Sequence, residues 1–125
     1  MAAILVVDDE PLVRSTLVTA LERAGHSVVF CESGQQAVEA FAKSPFDAVL
    51  SDVRMPQGDG AWLLQQIRKT APDLPVILMT GLTDDRRLQG VAFDARTRLL
   101  KKPLDLRGLL VLLEELRIWA GPKRS

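Results

Sequence analysis

The sequence predicts an α/β protein: one doubly wound sheet of five parallel strands, in the order 2-1-3-4-5, wrapped by five helices. Short apolar runs alternate strictly with longer stretches of helical period, which is the order a parallel sheet with crossover helices produces. The apolar runs are mostly continuous, as strands buried on both faces are. No internal repeat or low-complexity block breaks the alternation in the 125 residues.

Taken in order, the strand candidates are Ile4 to Val7, Val28 to Phe30, Ala48 to Leu50, Val76 to Met79 and the brief Leu99-Leu100. Pro11 suits the first turn of a helix, and Leu12, Thr16, Leu17, Ala20, Leu21 and Ala24 recur at helical spacing until Gly25 stops them. Ser33 with Gln36 forms a capping box that opens a second helix through Ala37, Val38, Ala40 and Phe41, ending near Ser44-Pro45. The third runs from Gly60 through Trp62, Leu63, Leu64 and Ile67 toward Pro72. Thr83 is placed to cap a fourth, with Asp84 and Asp85 in its first turn, although Gly90 within it costs about 1 kcal/mol relative to Ala. Asp105 caps a Leu-rich fifth helix expected to reach Trp119. Residues 1–120 thus read as one domain, and 121–125, with Gly121-Pro122 and a basic end, as a tail or the start of a linker.

Composition narrows the function. Sixteen basic and sixteen acidic side chains give zero formal charge, so there is no excess of Lys and Arg to hold nucleic-acid phosphates. A single cysteine, Cys31, excludes a disulfide scaffold. The apolar stretches fall far short of the roughly 20 residues that span a membrane, and the N-terminal run meets acids too early for a signal peptide. A soluble, cytoplasmic domain is expected.

Polar residues follow four of the five apolar runs, at once or after one residue: Asp8-Asp9, Asp52, Thr80 and Lys102. In a parallel sheet these ends share one edge, so three carboxylates, a hydroxyl and an amine meet in one crevice. Two carboxylates about 5 Å apart repel by roughly 3 kcal/mol at an effective dielectric near 20, so the cluster invites raised pKa values or a divalent cation. Oxygen donors without a thiolate or imidazole suit Mg²⁺. Each residue alone has a plain reading: a helix cap, a turn at Thr80-Gly81, a solvated Lys before Pro103. The combination is what points to a site.

Asp8-Asp9, then Ser51-Asp52-Val53-Arg54-Met55-Pro56 with Gly58-Asp59-Gly60, then Thr80-Gly81 and Lys102-Pro103 resemble the receiver domain of two-component response regulators. The likeness covers about Ala3 to Trp119 and implies a flavodoxin-like fold and an Mg²⁺-dependent phosphorylation switch, with Mn²⁺ as an alternative ion. It implies Asp52 as phosphoacceptor and metal ligand, Asp9 as direct ligand, Asp8 acting largely through water, and the Arg54 backbone carbonyl completing the protein's share. Lys102 would pair with Asp52 before reaction and with a phosphoryl oxygen afterwards, and Thr80 would bond another oxygen. The implied donor is a sensor histidine kinase or phosphotransfer protein, and the implied activity is autocatalytic only. An aspartyl-phosphate phosphohydrolase uses a similar set but needs an acid two residues after the nucleophile, where this chain has Arg54. A phosphate-independent scaffold is the other alternative.

Two departures bear on switching. Leu99 stands where receivers usually carry Tyr or Phe, and Ala95-Arg96 replaces the usual Gly-Ala, so relay is expected through the Thr80 loop, the fourth helix, the fifth strand and the fifth helix without an aromatic flip. In the fifth helix, Leu106, Leu109, Leu113 and Leu116 form a stripe for the sheet with Leu110 beside it. Val111 and Ile118 point away and Leu112 and Trp119 flank, a face suited to a homodimer or output partner. His26 is expected at the surface, Cys31 in the core or at a strand end, and Trp62 packed on the third helix.

Overall fold

A computed structural model describes residues 2–81 and 86–116. The elements are β1 (Ala3–Val7), α1 (Pro11–Arg23), β2 (Ser27–Cys31), α2 (Gly34–Lys43), β3 (Ala48–Asp52), α3 (Gly60–Thr70), β4 (Val76–Thr80), β5 (Thr97–Lys101) and α4 (Leu106–Glu115). All pairings are parallel and the strand order is β2-β1-β3-β4-β5, as the sequence predicts.

Alternation along the strands divides the core in two. Ile4, Val6, Leu50, Ile77 and Met79 face Leu17 and Leu21 of α1 and Leu109, Leu112 and Leu113 of α4. Leu5, Val7, Val49 and Leu78 face Ala37 of α2 and Leu63, Leu64 and Ile67 of α3. The central strands β3 and β4 are buried throughout, which is why they read as unbroken apolar runs. Strand β2 lies at the edge, so Ser27 and Val29 are exposed while Val28 and Phe30 are half-buried. There the Arg14 guanidinium of α1 lies 4.7 Å from the Phe30 ring centroid.

Helix starts follow local chemistry. Pro11 opens α1, and the Asp59 and Asp105 carboxylates accept from the N–H groups of Trp62 and Arg107. Ser33 caps α2 by accepting from Gln36 N–H, while the Gln36 side chain accepts from Glu32 N–H, one residue before the cap itself. Trp62 lies in α3 but is exposed, and its ring lies so close to Gly58 that a Cβ there would come within 2.6 Å of it.

Three expectations are corrected. The fourth helix is, among the described residues, a single 3-10 turn at Arg86–Leu88, with Gln89 and Val91 N–H groups bonding to carbonyls three residues back. Gly90 then takes φ +82, a left-handed conformation that ends helical winding. The proposed cap Thr83 and the acids Asp84 and Asp85 lie outside the described residues. The described part therefore holds four α-helices. His26 is 6% exposed rather than at the surface. Gly25 turns the chain with φ 95, and the N–H of His26 donates to Leu21 O, which folds the imidazole inward. Leu112, placed on a flank by the sequence, is buried with Leu109, Leu113 and Leu116, whereas Leu110 and Val111 are exposed. Ile118, Trp119 and the tail 121–125 lie outside the described residues. No helix among the described residues is long and apolar enough to cross a membrane.

Candidate functional site

The carboxyl edge of the sheet gathers the polar residues. Asp8 follows β1 directly, its N–H donating to Cys31 O at the end of β2, and it is wholly buried. Cys31 is itself buried at that strand end, where burial, then Glu39, pushes its thiol pKa up. Asp52 is the last residue of β3 and Thr80 the last of β4; both are buried. Lys102 comes one residue after β5, and its N–H donates to Thr80 O at 2.8 Å. The parallel register puts Asp52 beside Met79 and Thr80 beside Lys101, so the four strand ends arrive together.

The Lys102 ammonium is the hub. Its Nζ lies 3.0 Å from Asp8 Oδ2, 3.1 Å from Glu10 Oε1 and 3.2 Å from Asp52 Oδ2. One carboxylate oxygen from each of these three acids lies within 4.8 Å of the others. Asp9, by contrast, is exposed and stands outside that group. Glu10 takes its place in the cluster; the only sequence signal for it is a third acid in an unbroken acidic run before Pro11. Arg54 is exposed, and its backbone N–H donates to the Asp52 carboxylate.

Burial raises the pKa of Asp52 from 3.8 to about 6, with Asp8 adding to the rise and Lys102 and the Arg54 N–H opposing it. For Lys102 burial disfavours the charge, but the hydrogen bonds and charges of Asp8, Asp52 and Glu10 outweigh it and hold the ammonium above its ordinary range. The crevice therefore keeps a reluctant carboxylate beside a firmly protonated amine.

The loop between β3 and α3 is fastened to its surroundings by main chain. Gly34 N–H donates to Gly58 O and Gln35 N–H to Gln57 O, so this loop supplies acceptors for the first turn of α2. Gln57 and Gly58 hold φ values of 51 and 100, and a Cβ on Gly34 would collide with the Gly58 carbonyl. Val53 N–H bonds to Met79 O and Gly60 N–H to Val53 O, which fixes the end of β3 against β4 and α3. Leu99 is half-buried against the α2 and α3 side of the core.

A parallel α/β sheet with an acid cluster and a lysine at its carboxyl edge defines a class of phosphoryl- and cation-handling modules. The response regulator receiver domain family matches residues 4–114. The chain belongs to that family. It is 42% identical over 113 residues to the DNA-binding transcriptional regulator NtrC of Escherichia coli, covering 87% of this chain and 23% of that protein. Against the response regulator receiver protein CpdR of Brucella abortus it is 32% identical over 120 residues, 96% of this chain and 100% of that one. The chain thus spans less than a quarter of the first curated relatives it matches, and the whole of CpdR. Among solved structures, the receiver domain of sensor histidine kinase PA1611 of Pseudomonas aeruginosa, which has a magnesium ion coordinated in its active-site cleft, superposes with a TM-score of 0.80 at 28% identity. That superposition covers 93% of this chain and 98% of that one. Residues 4–114 are accordingly a receiver domain, a phosphorylation-dependent signalling module.

Proposed function

We propose that Asp52 is the phosphoacceptor of this receiver. The observation that carries this is the convergence of Asp8, Glu10 and Asp52 on Lys102 at the ends of three strands. An Asp52 carboxylate oxygen attacks the phosphorus of a phospho-His on a sensor histidine kinase or phosphotransfer protein; the P–N bond breaks, a P–O bond forms and the imidazole leaves. The pairing with Lys102 orients the Asp52 carboxylate. As charge gathers on the equatorial phosphoryl oxygens, the ammonium meets one of them and the Thr80 hydroxyl another. Water later hydrolyses the acyl phosphate, so the state is timed by the domain itself.

The donor set fits Mg²⁺, with Mn²⁺ as an alternative: oxygens only, with neither imidazole nor thiolate in the cluster. Asp52, Asp8, Asp9 and the Arg54 carbonyl are the proposed ligands, which requires the Asp9 side chain to turn inward. When bound, the ion offsets the charge of the arriving phosphoryl group and aligns it.

The phosphorylated carboxylate carries about −1.5 to −2 charges, which draws Thr80 and Lys102 and biases the segment between β4 and β5, β5 itself and α4. The exposed Leu110 and Val111 of α4 are the face for a second copy or an output partner. Residues 1–120 form the receiver unit, with 121–125 as tail, and the cytoplasm is the proposed location.

Incubation with Mg²⁺ and acetyl phosphate, followed by intact-mass analysis, tests the reading. Wild type gains one phosphoryl group and Asp52→Asn gains none. Incorporation into Asp52→Asn, or no incorporation into wild type, overturns it. Continuous release of many equivalents identifies a phosphohydrolase instead.

A further inference from the structure

We propose that Glu10 is a positioning residue for phosphoryl transfer: its carboxylate holds the Lys102 ammonium in the unphosphorylated protein and competes for it with the phosphoryl oxygens that form on Asp52. This inference rests on the phosphoacceptor reading above and deepens it.

An ammonium has three protons to donate. In the structure three carboxylates, from Asp8, Glu10 and Asp52, lie within 3.2 Å of Lys102 Nζ, so its donor capacity is matched one to one. Once Asp52 is phosphorylated its carboxylate no longer takes a proton of the ammonium, and the new phosphoryl oxygens compete for that ammonium with Asp8 and Glu10. The Asp8 side chain is fully buried and that of Asp52 is 9% exposed, while that of Glu10 is 60% exposed. Releasing Glu10 returns its charge to water, whereas releasing Asp8 strands a buried charge, so Glu10 is the one that gives way. The backbone of Glu10 stays in place meanwhile, because its N–H donates to Asp8 Oδ1 at 2.9 Å and Pro11 begins α1 directly after it.

The same geometry gives Glu10 two opposed effects. Its carboxylate lies within 4.8 Å of those of Asp8 and Asp52, so it adds to the field that attracts a divalent cation to the unphosphorylated site. Once Asp52 carries a phosphoryl group, the same charge repels the new negative oxygens and competes for Lys102. Glu10 therefore favours cation binding and opposes the phosphorylated state.

Calorimetric titration of wild type, Glu10→Gln and Glu10→Asp separates these effects. Mg²⁺ alone is titrated first, then beryllium fluoride, a phosphoryl mimic, at saturating Mg²⁺. Glu10→Gln is expected to weaken Mg²⁺ about tenfold and to tighten beryllium fluoride about tenfold, each equal to about 1.4 kcal/mol. Glu10→Asp, which keeps the charge, is expected to hold both constants within about threefold of wild type. A merely structural residue moves both constants the same way. Constants that shift in one direction, that stay within threefold in Glu10→Gln, or that Glu10→Asp fails to restore overturn the proposal. Wild type that does not bind beryllium fluoride, or binds it no better than Asp52→Asn, sinks the receiver reading itself. Wild-type binding with an unaltered Glu10→Gln sinks the Glu10 role alone.

Discussion

Replacing Asp52 by Asn should stabilise the metal-free protein. Burial raises the Asp52 pKa from 3.8 to about 6, and that figure already includes the opposing help of Lys102 and the Arg54 N–H. A rise of about two units at about 1.4 kcal/mol each means that the ionised carboxylate costs the folded state about 3 kcal/mol at neutral pH. Only 9% of the side chain is exposed, so solvent screening removes little of this. The folded state binds this proton more tightly than the unfolded chain does. Stability from this group is therefore greatest below about pH 4, falls as the pH rises toward 6, and stays low above it. Asn keeps the volume and removes the charge. At pH 7.5 without divalent cations the variant should gain about 1 to 3 kcal/mol, or about 4 °C in Tm per kcal/mol, and at pH 4 it should match wild type. Mg²⁺ should then narrow the difference, because the wild-type site binds the ion more tightly and gains more from it. Thermal and urea melts at the two pH values, with EDTA and then with Mg²⁺, make the measurement. An Asn variant no more stable than wild type at pH 7.5 in EDTA, or a gain that is the same at pH 4, refutes the reasoning.

Three further outcomes follow from the packing. Gly34→Ala should lose about 2 kcal/mol or more in urea denaturation, because its Cβ meets the Gly58 carbonyl, while Gly81→Ala, with open space around it, should stay within about 0.5 kcal/mol of wild type. Arg68→Met should lose about 2 kcal/mol: this one guanidinium donates to the carbonyls of Ala71, Leu74 and Arg96 and to Thr97 Oγ1, clipping the end of α3 to the start of β5. Equal urea midpoints for wild type and Arg68→Met would show the clip to be idle. His26 is buried with its Nδ1 unbonded, and burial, against the pull of Asp47, holds its pKa below 6.5. The unfolded chain therefore takes up this proton first, so its contribution is present above pH 6.5 and is lost as the pH falls below that value. The stability gap between wild type and His26→Gln should narrow from pH 7.5 to pH 5; a constant gap would mean that the imidazole does not titrate against the fold.

Strand positions, strand order and the shared edge were legible in the sequence for a physical reason. Runs such as Val76 to Met79 are buried on both faces, and only a parallel sheet flanked by helices on both sides buries them so. Polar residues that end such runs have one place to go, and Asp8, Asp52, Thr80 and Lys102 all arrive there. Local capping at Ser33 and Asp105 was equally readable, because it depends on neighbours within three residues.

Tertiary structure decided what local pattern could not. Asp8, Asp9 and Glu10 are chemically alike and adjacent; which of them turn toward Lys102 depends on how the chain leaves β1 for Pro11, and the answer is the first and the third. Thr83, Asp84 and Asp85 signal a helix start, yet among the described residues the chain winds only through Arg86–Leu88 before the left-handed Gly90 and the Asp94 carboxylate, which accepts from Arg96 and Thr97 N–H groups, lead it into β5. His26 has the sequence context of a surface residue, but after the left-handed Gly25 it is buried. The sequence alone specified which strand ends the sheet brings together, because the burial of apolar strands drives folding more strongly than any other contribution. Which carboxylates share one ammonium depends on distances of about 3 Å that the assembled strands alone could set.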